Sequence, residues 1–156
     1  MRIEVSRDVF RLAQVFTISR GSRTEAQVLT VRITDGGVTG WGECVPYARY
    51  GETLETVTAE IEALRGPLTR DALYDLLPAG AARNAVDCAL WDLQAKQAGK
   101  PVWELAGLAR PGPEVTAFTL SLDSPEKMRE QAALHAHRPL LKIKLGTPDD
   151  MPRLEA

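Results

Sequence analysis

Three changes of hydrophobic period divide the chain. From Arg2 to Phe10 apolar and polar residues alternate in part, and Gln27-Val28-Leu29-Thr30-Val31-Arg32-Ile33 alternates cleanly. A period of two puts successive side chains on opposite faces of a strand. Asp35-Gly36-Gly37 supplies the residues of a tight hairpin turn, and Val38 to Cys44 reads as the return strand. Between the first two strands, Ser19-Arg20-Gly21-Ser22-Arg23-Thr24 reads as a polar loop. After Pro46 the period lengthens. Thr53 to Leu64 carries Leu54, Val57, Ile61 and Leu64 at the spacing of one helical face, and Gly66-Pro67 stops it. A short helix is predicted from Thr69 to Leu77, ended by Pro78. The strongest helical pattern is Ala81 to Ala98, with Val86, Leu90, Leu93 and Gln97 in one stripe and Ala85, Ala89 and Trp91 beside it. Gly99 stands where a C-terminal cap belongs, with Pro101 just beyond. Pro101 to Leu108 predicts one or two further helical turns, and Pro111-Gly112-Pro113 reads as a linker at a domain boundary.

Beyond the linker the period changes again. Val115 to Leu122 reads as a strand, and Asp123-Ser124-Pro125-Glu126 as a helix start with Ser124 as N-cap and Pro125 in the first turn. The helix runs to about His137. Leu140-Leu141-Lys142-Ile143-Lys144-Leu145-Gly146 is a second strand, and Thr147-Pro148-Asp149-Asp150 opens another helix. Strand, helix, strand, helix is the alternation of a parallel α/β sheet, which needs more strands than these.

Composition narrows the class. Of 156 residues 44% are apolar and 26% charged, ordinary globular usage. A net charge of −2 leaves no electrostatic footprint for nucleic acid or an anionic membrane. No run is long and apolar enough to span a bilayer, and Met1-Arg2-Ile3-Glu4-Val5 alternates where a signal peptide would be apolar. Cys44 and Cys88 are read as buried, reduced thiols, which fits a cytoplasmic location.

Most candidate chemistry has a plain structural reading. Gly37-x-x-Gly40-x-Gly42 lies within a hairpin rather than leading from strand to helix, so it reads as turn and close packing instead of a phosphate loop. His135 and His137, the only histidines, stand two apart on a helix end and cannot chelate one metal. No serine or cysteine has the context of a hydrolytic nucleophile. Arg20 and Arg23 are either solvated charges or a clamp for a carboxylate, which the planar guanidinium fork binds through both oxygens. Lys142 and Lys144 are either solvent-facing residues of an edge strand or a proton-transfer pair. Two apart on a strand they share a face, about 6.6 Å apart along the backbone. At that range each ammonium disfavours protonation of the other, and a lysine so tuned can act as a general base near neutral pH.

Five segments resemble a known family. Ala82-Arg83-Asn84-Ala85-Val86-Asp87-Cys88-Ala89-Leu90-Trp91-Asp92-Leu93 with Gly99-Lys100-Pro101-Val102-Trp103-Glu104-Leu105 resembles the N-terminal-domain signature of the enolase superfamily, in its mandelate racemase and muconate cycloisomerase branch. Lys142-Ile143-Lys144 is similar to that branch's Lys-x-Lys motif at the end of the second barrel strand. Ile18 to Ala26 and Gly42 to Glu52 resemble the L-Ala-D/L-Glu epimerases. The resemblance implies an α+β capping domain over residues 1–110, an antiparallel sheet followed by helices, and the first βαβ unit of a (β/α)8-type barrel over residues 114–156. It implies Lys144 as the base that exchanges the α-proton on one face, with Lys142 beside it near the substrate carboxylate and favouring the neutral amine at Lys144. Arg23 then pairs with the glutamate side chain of a dipeptide substrate, with Arg20 as the less favoured alternative. The family's Mg2+ ligands and second lysine base are expected beyond residue 156, so no metal ligand is assigned here and the isolated chain is expected to be inactive. The expected partner is a small-molecule dipeptide, not nucleic acid or membrane, and a homo-oligomer is left open. Two alternatives stand beside this: another superfamily activity (muconate-type cycloisomerase, N-acylamino acid racemase or o-succinylbenzoate synthase), and a non-catalytic module completed by another chain.

Overall fold

The structure is a computed structural model and describes residues 1–66 and 68–156. Pro67, half of the stop expected after the first helix, lies outside the described residues. Two compact units are present: Met1–Phe10 with Gln27–Pro111, and Arg11–Ala26 with Gly112–Ala156.

The first unit is built on a sheet of order β1-β2-β3, with β1 at Arg2–Ile18, β2 at Gly21–Asp35 and β3 at Val38–Cys44. β2 and β3 pair antiparallel from Leu29↔Cys44 to Asp35↔Val38. Gly36 and Gly37 make the turn at φ 56° and 80°, both left-handed, as a two-residue hairpin of the right twist requires. Three helices follow: α1 (Leu54–Glu62), α2 (Arg70–Leu76) and α3 (Ala81–Ala98). Their ends are set by local chemistry. Thr53 accepts from the Thr56 N–H while Thr56 closes a capping box, Thr69 accepts from the Ala72 N–H, and Gly99 ends α3 at φ 62°. A short α4 (Val102–Leu105) completes the unit.

The core joins one face of the sheet to these helices. Leu29, Val31 and Ile33 of β2 pack with Val57 and Ile61 of α1, Leu73 of α2, and Val86, Leu90 and Leu93 of α3. Each such side chain, fully buried, contributes roughly 1.5–3 kcal/mol. At Gly40 and Gly42 no side chain separates β3 from α3. A methyl built on Gly40 would fall on the Ala89 carbonyl, and one on Gly42 on the Ala85 carbonyl. Alanines 85 and 89, one helical turn apart, lie over glycines two apart on the strand, so the two backbones meet. This settles the glycine motif as packing. The same helix covers the exposed edge of β3: the Trp41 N–H donates to Asp92 at 2.8 Å, Lys96 to the Thr39 carbonyl at 3.0 Å, and Asn84 to the Glu43 carbonyl at 3.3 Å. Glu52 bridges the segment after β3 to the start of α3, accepting from the Tyr47 N–H at 3.0 Å and the Ala81 N–H at 2.6 Å.

The second unit contains β4 (Phe118–Leu120), α5 (Pro125–Leu134), β5 (Leu141–Ile143) and α6 (Met151–Glu155), together with the outer part of the β1–β2 hairpin. β4 and β5 pair parallel, Phe118↔Leu141 to Leu120↔Ile143, with α5 as the crossover. Ser124 caps α5 through the Lys127 N–H, and Pro125 stands in its first turn.

Three expectations need correction. The six-residue polar loop is only a Ser19-Arg20 turn, because β1 continues to Ile18 and β2 begins at Gly21. Residues 11–26 belong to the unit formed with Gly112–Ala156, and none of them is buried, so no alternating pattern marked them as strand. Cys44 is buried but Cys88 is exposed, because Cys88 lies off the face of α3 that carries Ala85, Ala89 and Leu93. Gln97 is exposed and donates to Asp35 instead of extending the apolar stripe.

Gly42→Ala is expected to destabilise by about 3 kcal/mol, the upper end for overpacking, because backbone and not a flexible side chain blocks the methyl. Chemical denaturation checks this, and an unchanged midpoint contradicts it. Burial, and then Glu52 and Glu43, push the Cys44 thiol up to about 11, so the folded protein holds it protonated and inaccessible. A thiol-disulfide reagent at pH 8 is therefore expected to modify Cys88 promptly and Cys44 only on unfolding. Equal rates at both contradict this.

Candidate active site

The second unit gathers all four basic residues singled out in the sequence. Lys142 lies on β5 opposite Thr119 and is exposed. Lys144 is half-buried one residue past the end of β5, where its N–H still donates to the Leu120 carbonyl at 3.2 Å. The ladder thus continues to Lys144, and strand geometry gives the two lysines a common face. Arg20 lies in the turn of the arm and Arg23 is the third residue of β2; both are exposed.

Three contacts bring the arm to the ends of the two parallel strands. The Leu122 N–H donates to the Thr17 carbonyl at 3.1 Å, and the Ser121 hydroxyl to the Val15 carbonyl at 3.4 Å, just past β4. Past β5, Gly146 (φ 144°) lies so close to Ser19 that a methyl on it would be 2.8 Å from Ser19 Cβ. The residue before Arg20 therefore touches the residue two beyond Lys144. Within the arm, Thr17 and Ser22 hydroxyls hydrogen-bond across the hairpin at 2.9 Å.

The loop that carries Gly146 is braced by Asp150. Its carboxylate accepts from the Gly146 N–H at 2.8 Å, the Thr147 N–H at 3.2 Å and the Thr147 hydroxyl at 2.8 Å. The Thr147 hydroxyl first, then the two backbone N–H groups and Arg153, hold the Asp150 carboxyl below the usual aspartate range. Arg153 also donates to the Thr147 hydroxyl at 2.7 Å and the Asp123 carbonyl at 2.8 Å, tying the loop after β5 to the loop after β4. Ser19, Gly146, Asp150 and Arg153 were missed as site residues. The signals were a glycine two residues beyond Lys-x-Lys and an aspartate read only as part of a helix start.

The remaining candidates have structural roles. His135 ends α5 with its ring 3.9 Å from that of Phe118 and 6.2 Å from that of His137. Desolvation, then Arg138 and His137, lower its pKa. No group of three His, Cys, Asp or Glu side chains that could hold a metal ion occurs among the described residues. No helix among the described residues is long and apolar enough to cross a membrane. Chemically, the arrangement offers an amine at the C-terminal end of a parallel strand and guanidinium groups on an adjoining arm. It suits a carbon acid that also carries a carboxylate.

The fold is an antiparallel three-stranded sheet followed by helices, with a parallel βαβ unit after it. Residues 2–107 match the family model described as mandelate racemase / muconate lactonizing enzyme, N-terminal domain, and the chain belongs to that family. It is 42% identical over 149 residues to the L-Ala-D/L-Glu epimerase of Escherichia coli (strain K12), covering 92% of this chain and 46% of that protein. It is 42% identical over 135 residues to the N-acetyl-D-glutamate racemase of Pseudoalteromonas sp, covering 83% and 42%. Among solved structures it resembles an enolase family member from Agrobacterium tumefaciens with homology to dipeptide epimerases, solved with sodium, L-Ala-L-Glu and an ordered loop. There the identity is 52% and the TM-score 0.93 over 98% of this chain and 48% of that one. It also resembles the dipeptide epimerase from Enterococcus faecalis V583 complexed with Mg and L-Leu-L-Tyr, at 29% identity and TM-score 0.84 over 98% and 48%. The chain spans about half the length of the relatives it matches.

Because folding lowers the Asp150 pKa, its contribution to stability is complete above the unfolded value and is lost as pH falls through the depressed folded one. Asp150→Asn is expected to lower the melting temperature at pH 7 and to narrow the gap to wild type toward pH 3. A gap that stays constant across that range contradicts the brace.

Proposed function

We propose that this chain supplies the capping domain (1–110) and the start of the barrel (114–156) of an epimerase acting on L-Ala-D/L-Glu. The observation that carries the reading is the contact of Ser19 with Gly146, which joins the arginine-bearing arm to the end of the Lys144 strand. The identity to the E. coli epimerase and the likeness to the Agrobacterium structure with L-Ala-L-Glu support the substrate class.

In this reading Lys144 takes the α-proton of the C-terminal residue from one face and returns a proton to it. Lys142 shares that face and adds positive charge where the α-carboxylate gains electron density. Arg23 pairs through its planar fork with the γ-carboxylate of glutamate, with Arg20 the alternative. Mg2+, present in solved relatives, and a second base are expected to come from residues outside 1–156. A homo-oligomer is compatible with all of this. The N-acetyl-D-glutamate racemase favours one second reading, racemisation of an N-acylated glutamate. Both substrates present the same acylated amine and γ-carboxylate, so Arg23 and Lys144 keep their roles in either.

Solvent deuterium exchange at the α-carbon, in the full-length protein that carries this sequence, tests the roles together. Lys144→Ala is expected to slow exchange from one epimer by roughly 10²–10⁴-fold, the range for loss of a general base. Arg23→Ala is expected to erase the preference for glutamate over glutamine in the second position while leaving exchange itself in place. Undiminished exchange from both epimers in Lys144→Ala removes the lysine from the mechanism.

A further inference from the structure

We propose that Ser19 and Gly146 form a seat that sets the arm on the catalytic strand, with Asp150 holding the loop side of the seat, so that all three are positioning residues for substrate recognition. This rests on the epimerase reading above and goes beyond it by assigning roles to residues that touch neither the reacting carbon nor the γ-carboxylate.

The space at the seat is the first argument. Gly146 has φ 144°, a conformation that L side chains rarely adopt, and a methyl there would lie 2.8 Å from Ser19 Cβ and 3.0 Å from Ser19 Oγ. Both its own backbone and the approach of the arm require the missing side chain. The second argument is what else holds the arm. A two-stranded ribbon is marginal by itself, and no residue from 11 to 26 is buried. Its outer end is located by two hydrogen bonds, Leu122 to Thr17 and Ser121 to Val15, and by the seat. Both hydrogen bonds lie on the β4 side, whereas the seat brings the turn to the strand that carries Lys144.

The third argument is rigidity on the opposite side. Asp150 accepts three hydrogen bonds from Gly146 and Thr147, and Arg153 anchors the same loop to the Asp123 carbonyl. A seat works as a register only if one side does not yield, and this network supplies that side. A larger side chain at position 19 therefore displaces the arm rather than the loop. The guanidinium groups on the arm move while the backbone of Lys144, paired to Leu120, stays in place.

The experiment uses the full-length protein and steady-state epimerisation of L-Ala-L-Glu and L-Ala-L-Gln. Ser19→Leu is expected to raise KM for L-Ala-L-Glu by about tenfold or more and to reduce the preference for glutamate about as much, with kcat changing far less, since misplacing a binding group by about 1 Å costs on the order of 10²-fold. Asp150→Asn, which loosens the seat from the other side, is expected to move the same two quantities in the same direction and serves if the leucine variant does not fold. Wild-type KM and selectivity in a folded variant overturn the seat, as does a loss confined to kcat. A wild-type protein that exchanges no α-proton from either dipeptide contradicts the epimerase reading itself, a result separate from failure of the seat.

Discussion

The arm of residues 11–26 has no buried residue, and backbone carbonyls and one glycine place it against the segments after β4 and β5. Thr17 and Val15 offer carbonyls to the segment after β4, and Ser19 rests on the bare backbone of Gly146 after β5. Each such interaction is worth only about 0.5–1.5 kcal/mol net. The arm of the candidate site contains no buried residue, the condition under which local opening costs little. A substrate bridging arm and strand would add to these few contacts.

The first unit is organised on the opposite principle. There α3 lies backbone-to-backbone on β3 over Gly40 and Gly42, and Leu29, Val31 and Ile33 fill the space beneath α1 and α3. Asp92, Lys96 and Asn84 occupy hydrogen-bonding groups that an edge strand would otherwise present to a second chain. A substitution in this packed layer acts on stability, whereas the exposed arm tolerates substitution with little cost to the fold.

The sequence was legible where structure is decided locally. Asp35-Gly36-Gly37, Thr53, Gly99 and Ser124-Pro125 carry their own turn or cap chemistry, and the structure uses each of them that way. The glycines at 40 and 42 could be assigned to packing because their setting is a hairpin. The outer half of the arm was not legible, since its partners, Ser121, Leu122 and Gly146, lie more than a hundred residues away and its exposed faces show no period. Cys88 was misread because an apolar neighbourhood in sequence is not the buried face of a helix. In the candidate site, the spacing of Lys142 and Lys144 raised the question of a base, but only the family resemblance favoured it over a solvated edge strand. Gly146 and Asp150 escaped notice because their roles depend on what packs against them.

The most direct measurement of the central claim is a crystal structure of the full-length protein with L-Ala-L-Glu bound. The account predicts the Lys144 amine about 3–3.5 Å from the α-carbon of glutamate, a near-attack distance, with an arginine of the arm, Arg23 in the first instance, on the γ-carboxylate and Ser19 still seated on Gly146. A Lys144 side chain turned to bulk solvent, with the dipeptide bound away from the arm, would contradict it.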